Sequence, residues 1–106
     1  METVGVCGNT KRQYYNYFVE CARNVYNVHD FADDIGVTTM EDIRDCKKLY
    51  VIGKACELSN DTWDIISWAY VTGVTIISVN YISMHTIRLK AVKFLKTFAK
   101  ALETLE

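Results

Sequence analysis

The stretch from Lys47 to Tyr81 reads as strand, loop, helix and strand, a succession that leaves the chain few folds to choose from. Lys48-Leu-Tyr-Val-Ile-Gly53 is a short apolar run closed by a glycine, and Val74-Thr-Ile-Ile-Ser-Val-Asn80 is β-branched almost throughout. Runs of this kind are strands buried on both faces. Between them Ser59-Asn-Asp-Thr62 supplies N-capping side chains, Trp63 to Thr72 carries apolar residues at helical spacing, and Gly73 stands where a helix C-cap belongs. Strand, helix and strand within about 30 residues make a βαβ unit. Its right-handed crossover sets the two strands parallel and places the loop after the first strand, with the helix N-terminus, at the sheet's carboxyl edge. A site is expected there.

The flanking segments extend the same alternation. Thr3-Val-Gly-Val-Cys7 is a β-type run followed by the polar turn Gly8-Asn-Thr-Lys-Arg12. From Gln13 to Val25, Tyr15, Phe18, Val19, Ala22 and Val25 keep helical spacing. Tyr26 to Phe31 alternates weakly, as a short strand would, and Ala32-Asp-Asp-Ile-Gly36 reads as an acidic turn. Thr38 or Thr39 can cap a short helix through Cys46, because Thr38-Thr-Met-Glu41 has capping-box spacing. The segment from Ile82 to Leu105 is amphipathic with two adjacent apolar stripes. One is Leu89, Val92, Leu95, Ala99 and Leu102; the other is Ala91, Phe94, Phe98, Ala101 and Leu105. Four strands alternating with four helices predict an α/β fold, a small open parallel sheet of about four strands with helices on both faces, Rossmann-like or flavodoxin-like. With no proline and no Gly- or Ser-rich linker, residues 1–106 form a single domain. The wide apolar face of the last helix, and the open edges of so small a sheet, predict a homo-oligomer.

Charge and cysteine usage narrow the partners. Twelve basic against 13 acidic residues give a net charge of −1, without the basic field that signals nucleic acid or an anionic membrane. No apolar run is long enough for a membrane span, and the N-terminus has no signal-peptide pattern. Cys7, Cys21, Cys46 and Cys56 form no C-x-x-C and read as free thiols of a reducing cytoplasm. His29 and His85 have no partner at metal-ligand spacing, so neither a metal nor another cofactor is implied.

Ser59-Asn-Asp-Thr-Trp-Asp-Ile-Ile-Ser-Trp-Ala69, followed by Thr72-Gly-Val-Thr-Ile-Ile77, resembles the central motif of the nucleoside 2-deoxyribosyltransferase-like proteins and of the related small nucleotide-binding domains of the SLOG group. The resemblance covers Asp45 to Val79. It implies a nucleotide cleft at the loop before the helix. The family's catalytic glutamate lies four residues before the alanine, and that position is Ile65 here, which cannot attack an anomeric carbon. Asp64 is adjacent, but one residue turns a helical side chain by about 100°. The resemblance therefore implies a ligand cleft without the family's glycosyl-transfer acid.

Two loops supply the candidate ligand residues. Ser59, Asn60, Asp61 and Thr62 offer hydroxyls and helix N-terminal N–H groups to a phosphate or ribose; the same residues also read as ordinary caps. Gly8, Asn9, Thr10, Lys11 and Arg12 combine a glycine that permits close backbone approach with two cations for a phosphate. Of Tyr14, Tyr15, Tyr17, Trp63 and Trp68, which could stack on a base, Trp63 is best placed, one residue inside the helix N-terminus; core or subunit-interface packing is the commoner fate of such rings. The expectation is non-catalytic binding of a nucleotide or ADP-ribose-like ligand. If the source were a virus or a defence system, a sensor or sequestering protein for a nucleotide signal would fit. Two alternatives stand beside it: a nucleoside N-glycosidase or deoxyribosyltransferase using Asp64, and a scaffold protein without a small ligand.

Overall fold

The computed structural model describes residues 1–31 and 40–104. Four strands, β1 (Thr3–Gly8), β2 (Asn27–Asp30), β3 (Lys48–Ile52) and β4 (Thr75–Ser78), pair in the order β2-β1-β3-β4. Every pairing is parallel. The helices are α1 (Gln13–Arg23), α2 (Met40–Arg44), α3 (Asn60–Thr72) and α4 (Met84–Thr104), with a 3-10 turn at Ala55–Glu57. This is the expected α/β fold, with the strand order of a flavodoxin-like sheet that stops at its fourth strand. The acidic turn read at 32–36, the capping residues Thr38 and Thr39, and Leu105 lie outside the described residues.

Side-chain alternation along the strands sorts the helices onto two faces. Cys7, Leu49 and Val51 point to one face, where they pack with Ile43 of α2, Ile66 and Ala69 of α3 and Ile87 of α4. Val6 and Ile52 point to the other, against Tyr15 and Val19 of α1. The α1 tyrosine is tied down as well as buried, since its hydroxyl donates to Asp30 Oδ1 at 2.7 Å. Helix α3 starts where its cap predicts: Ser59 Oγ accepts from the Thr62 N–H at 3.2 Å. It ends on Gly73, which takes the left-handed conformation of a C-cap at φ 81°. Helix α4 opens in the same way, with Ser83 Oγ accepting from the Thr86 N–H at 3.1 Å. It packs beside α3 through the second of its two stripes, the ring of Trp68 meeting Phe94 and Phe98 edge-on at 5.0 and 5.3 Å.

Among the described residues no helix is long and apolar enough to cross a membrane. All four cysteines are free, with Cys7 and Cys46 buried.

Candidate functional site

The loops leaving β1 and β3 meet at the carboxyl edge, at the point where the strand order reverses direction. That is where ligands bind in open α/β sheets. Backbone conformation brings the two loops together. Gly8 has φ 130°, and a Cβ there would lie 1.9 Å from the Ile52 carbonyl oxygen. The next residue uses this closeness: the Asn9 N–H donates to that same carbonyl at 2.7 Å. Gly53, at φ 119°, repeats the arrangement on the β3 side, where a Cβ would stand 3.1 Å from Asn9 Cβ.

Polar side chains then lock the rim. Glu57, in the 3-10 turn, accepts from Arg12 Nε at 2.9 Å and from Asn9 Nδ2 at 3.0 Å, while Arg12 Nη2 pairs with its second oxygen. Asn9 Oδ1 accepts from the Lys11 N–H at 3.1 Å, shaping the turn over Thr10. At the end of β4, Asn80 Oδ1 accepts from the Gly53 N–H at 2.6 Å and from the Tyr14 hydroxyl at 2.7 Å. Three loops and the first turn of α1 are thereby joined by Glu57 and Asn80. Next to Asn80, Tyr81 holds a left-handed backbone at φ 58°. Its side chain is 96% exposed, leaving both ring faces open at the rim.

Hydrogen bonds from Arg12 and then from Asn9 hold the Glu57 carboxyl at a pKa of about 2, below its ordinary 4.5. The pairing is stabilising wherever Glu57 is ionised, and because the folded value lies below the unfolded one, that contribution is present above pH 4.5 and is lost as pH falls toward 2. Urea unfolding measured across this window should show wild type losing stability relative to Glu57→Gln, with the gap between the two closing at the acid end. A gap independent of pH would mean that the ion pair does not form.

The two helix N-termini at this edge differ. The N-cap of α1 is Arg12, which makes no side-chain capping bond, and the first turn holds no acid. Its first N–H groups open beside Lys11 and beside Arg12, whose charge Glu57 pairs. The N-terminus of α3 is already satisfied: Ser59 caps it, Ser59 Oγ lies 3.0 Å from Thr62 Oγ1, and Asp61 in the first turn offsets the dipole. Asn60 and Asp61 are exposed and Thr62 is buried.

The sequence-predicted residues therefore separate into two places. Gly8 to Arg12 build the rim; the β3 side of it is supplied by Gly53 and Glu57 rather than by Ser59 to Thr62. Trp63 is only 7% exposed, packed in the core with Lys90 Nζ 5.4 Å from its ring centroid. Asp64 lies in a groove of about 160 Å3 between α3 and α4, lined also by Asn60, Ser67, Lys93 and Phe94. Partial desolvation, and then neighbouring Asp61, raises its carboxyl above the usual range. Ile65 points into the core, so the position of the family's glutamate faces packed side chains. Glu57, Asn80 and Tyr81 carry no sequence motif that singles them out.

Burial first, then Asp30, pushes the Cys7 thiol far up, and burial raises Cys46 to about 11. Among the described residues no group of three or more His, Cys, Asp or Glu is gathered for a metal.

The fold and its rim define an open parallel α/β domain with a hydrogen-bonded polar rim at the switch point. No family model, no curated protein and no solved structure matches the chain.

Proposed function

We propose that this protein binds a nucleotide or ADP-ribose-like ligand at the β1/β3 rim without turning it over. The observation that carries the reading is the α1 N-terminus: it opens without a side-chain cap or an acid, beside Lys11 and Arg12, where the strand order reverses. A phosphate would sit there, held by N–H groups and by the Arg12 donors that Glu57 does not use. Asn9 and Asn80 are placed to meet ribose hydroxyls, and Tyr81 offers an open ring to a base. The resemblance of Asp45 to Val79 to the nucleoside 2-deoxyribosyltransferase-like proteins supports the ligand class.

Two features favour binding over turnover. Glu57, the carboxylate in the rim network, is held ionised by three hydrogen bonds from Arg12 and Asn9, so it is a poor proton donor near neutral pH. Asp64, whose carboxyl is shifted upward by partial desolvation and by Asp61, lies in a groove that includes none of Gly8 to Arg12.

Calorimetric titration with ADP-ribose, NAD and a panel of nucleotides tests the reading. At least one should bind, and a ligand at ten times its Kd should add about 1.4 kcal/mol of stability, several degrees in Tm. Arg12→Ala should weaken that ligand by about tenfold to a hundredfold, the loss of a charged hydrogen bond. No stabilisation by any member at millimolar concentration would leave the rim as plain structural capping. Release of free base from nucleosides or NAD, abolished by Asp64→Asn, would establish the glycosidase reading instead.

A further inference from the structure

The groove of about 160 Å3 between α3 and α4 has two walls of opposite charge. Asn60 and Asp64, four residues apart and so on one face of α3, give an amide and a carboxylate. Lys90 and Lys93 of α4 give two ammonium groups, and Trp63 and the half-buried Phe94 supply apolar lining.

The walls are not paired with each other. Among the described residues the Asp64 carboxylate takes part in no hydrogen bond or ion pair, and neither does the Lys93 ammonium. Lys90 Nζ is turned to the Trp63 ring, 5.4 Å from its centroid, rather than to an acid. The upward shift of the Asp64 carboxyl, from partial desolvation first and Asp61 second, is the direction expected of an acid with no cation beside it.

Size and charge together define what such a groove takes. Its volume lies below the roughly 300–1,000 Å3 of pockets that hold drug-sized molecules, so it suits one small molecule and not a nucleotide. A ligand with a single charge would satisfy one wall and leave the other unmatched. A cation and an anion close together on one molecule match both, as charge-assisted hydrogen bonds to Asp64 and to Lys93. The apolar lining adds a place for a hydrocarbon side chain. A free amino acid unites the three features.

We propose that the α3–α4 groove binds a free amino acid with an apolar side chain, its ammonium on Asp64, its carboxylate on Lys93 and its side chain against Phe94. The site is separate from the β1/β3 rim and independent of the nucleotide reading.

Amide NMR of the full chain, titrated with L-phenylalanine and with L-leucine to tens of millimolar, tests it. At least one should give saturable shifts at Asp64, Ser67, Lys93 and Phe94, with Asn9, Gly53 and Asn80 unmoved. The analogue of that amino acid without its ammonium (hydrocinnamate or isocaproate), and the one without its carboxylate (phenethylamine or isoamylamine), should each bind about tenfold more weakly or worse. Asp64→Asn should weaken the amino acid but not the carboxylate analogue, and Lys93→Met should weaken the amino acid but not the amine. Both positions are exposed, so both variants should keep the far-ultraviolet dichroism of the fold. The absence of saturable shifts in the groove with either amino acid would overturn the proposal. So would an analogue that binds as tightly as its parent, or an Asp64→Asn variant that still prefers the amino acid to its deaminated analogue by the wild-type ratio.

Discussion

Gly8→Ala should destabilise the domain by about 3 kcal/mol or more, one of the largest effects expected of a single methyl group in this chain. Two costs combine. The backbone at φ 130° is one that residues with a Cβ rarely adopt, and the added Cβ would stand 1.9 Å from the Ile52 carbonyl oxygen, with Ile52 N at 2.7 Å. Neither obstacle is a flexible side chain that could swing aside. The strands must separate at their carboxyl ends, which breaks the Asn9 N–H bond to Ile52. Urea denaturation monitored by tryptophan fluorescence measures the loss. A cost below about 1 kcal/mol would mean that β1 and β3 do not approach as closely as described. Gly53→Ala shares the positive φ but meets its neighbours at 3.1 to 3.4 Å, so it should cost less.

Asn80→Leu should cost about 2–3 kcal/mol, through the loss of an acceptor rather than through packing. Its Oδ1 serves both the Gly53 N–H and the Tyr14 hydroxyl. Leucine fills a similar volume but leaves both part-buried donors without a partner. Asn80→Asp retains an acceptor oxygen in the same place and should recover most of the loss. This contrast separates the hydrogen-bond account from a merely steric one: equal destabilisation by Leu and Asp would contradict it. The Leu variant should also lose ligand affinity, since Asn80 couples the β3 and β4 loops to the first turn of α1.

Much of the architecture could be read along the chain because the strongest signals are local. The β-branched runs at β3 and β4, the Ser59 cap and the Gly73 stop each act within a few residues, and together they predict a parallel crossover. Even β2, only four residues long and half-buried, left a trace in the weak alternation from Tyr26 to Phe31. Boundaries moved by one to three residues where runs such as Val74 and Val79 extend past the paired stretch.

The site was legible in half. Glycine and cations after a first strand marked Gly8 to Arg12. Nothing local says which of 13 acids Arg12 will meet, and the answer, Glu57, is 45 residues away. Trp63 took the commoner fate of an aromatic ring, packing rather than stacking on a ligand. Its sequence position at a helix start is correct, yet helical rotation sends the ring into the core with Ile66 rather than toward the crevice. In α4 the two stripes were evident, while the choice of the one that packs on α3 is set by Trp68, on another helix.

The central claim is that the β1 and β3 loops form one ligand-binding rim. Backbone amide NMR during titration with ADP-ribose, or with whichever panel nucleotide binds, tests it most directly. Saturable shifts should concentrate at Asn9 to Tyr14, Gly53, Glu57 and Asn80, with the α3–α4 groove around Asp64 and Lys93 unchanged. Shifts confined to that groove, or none at the rim at saturating ligand, would contradict it.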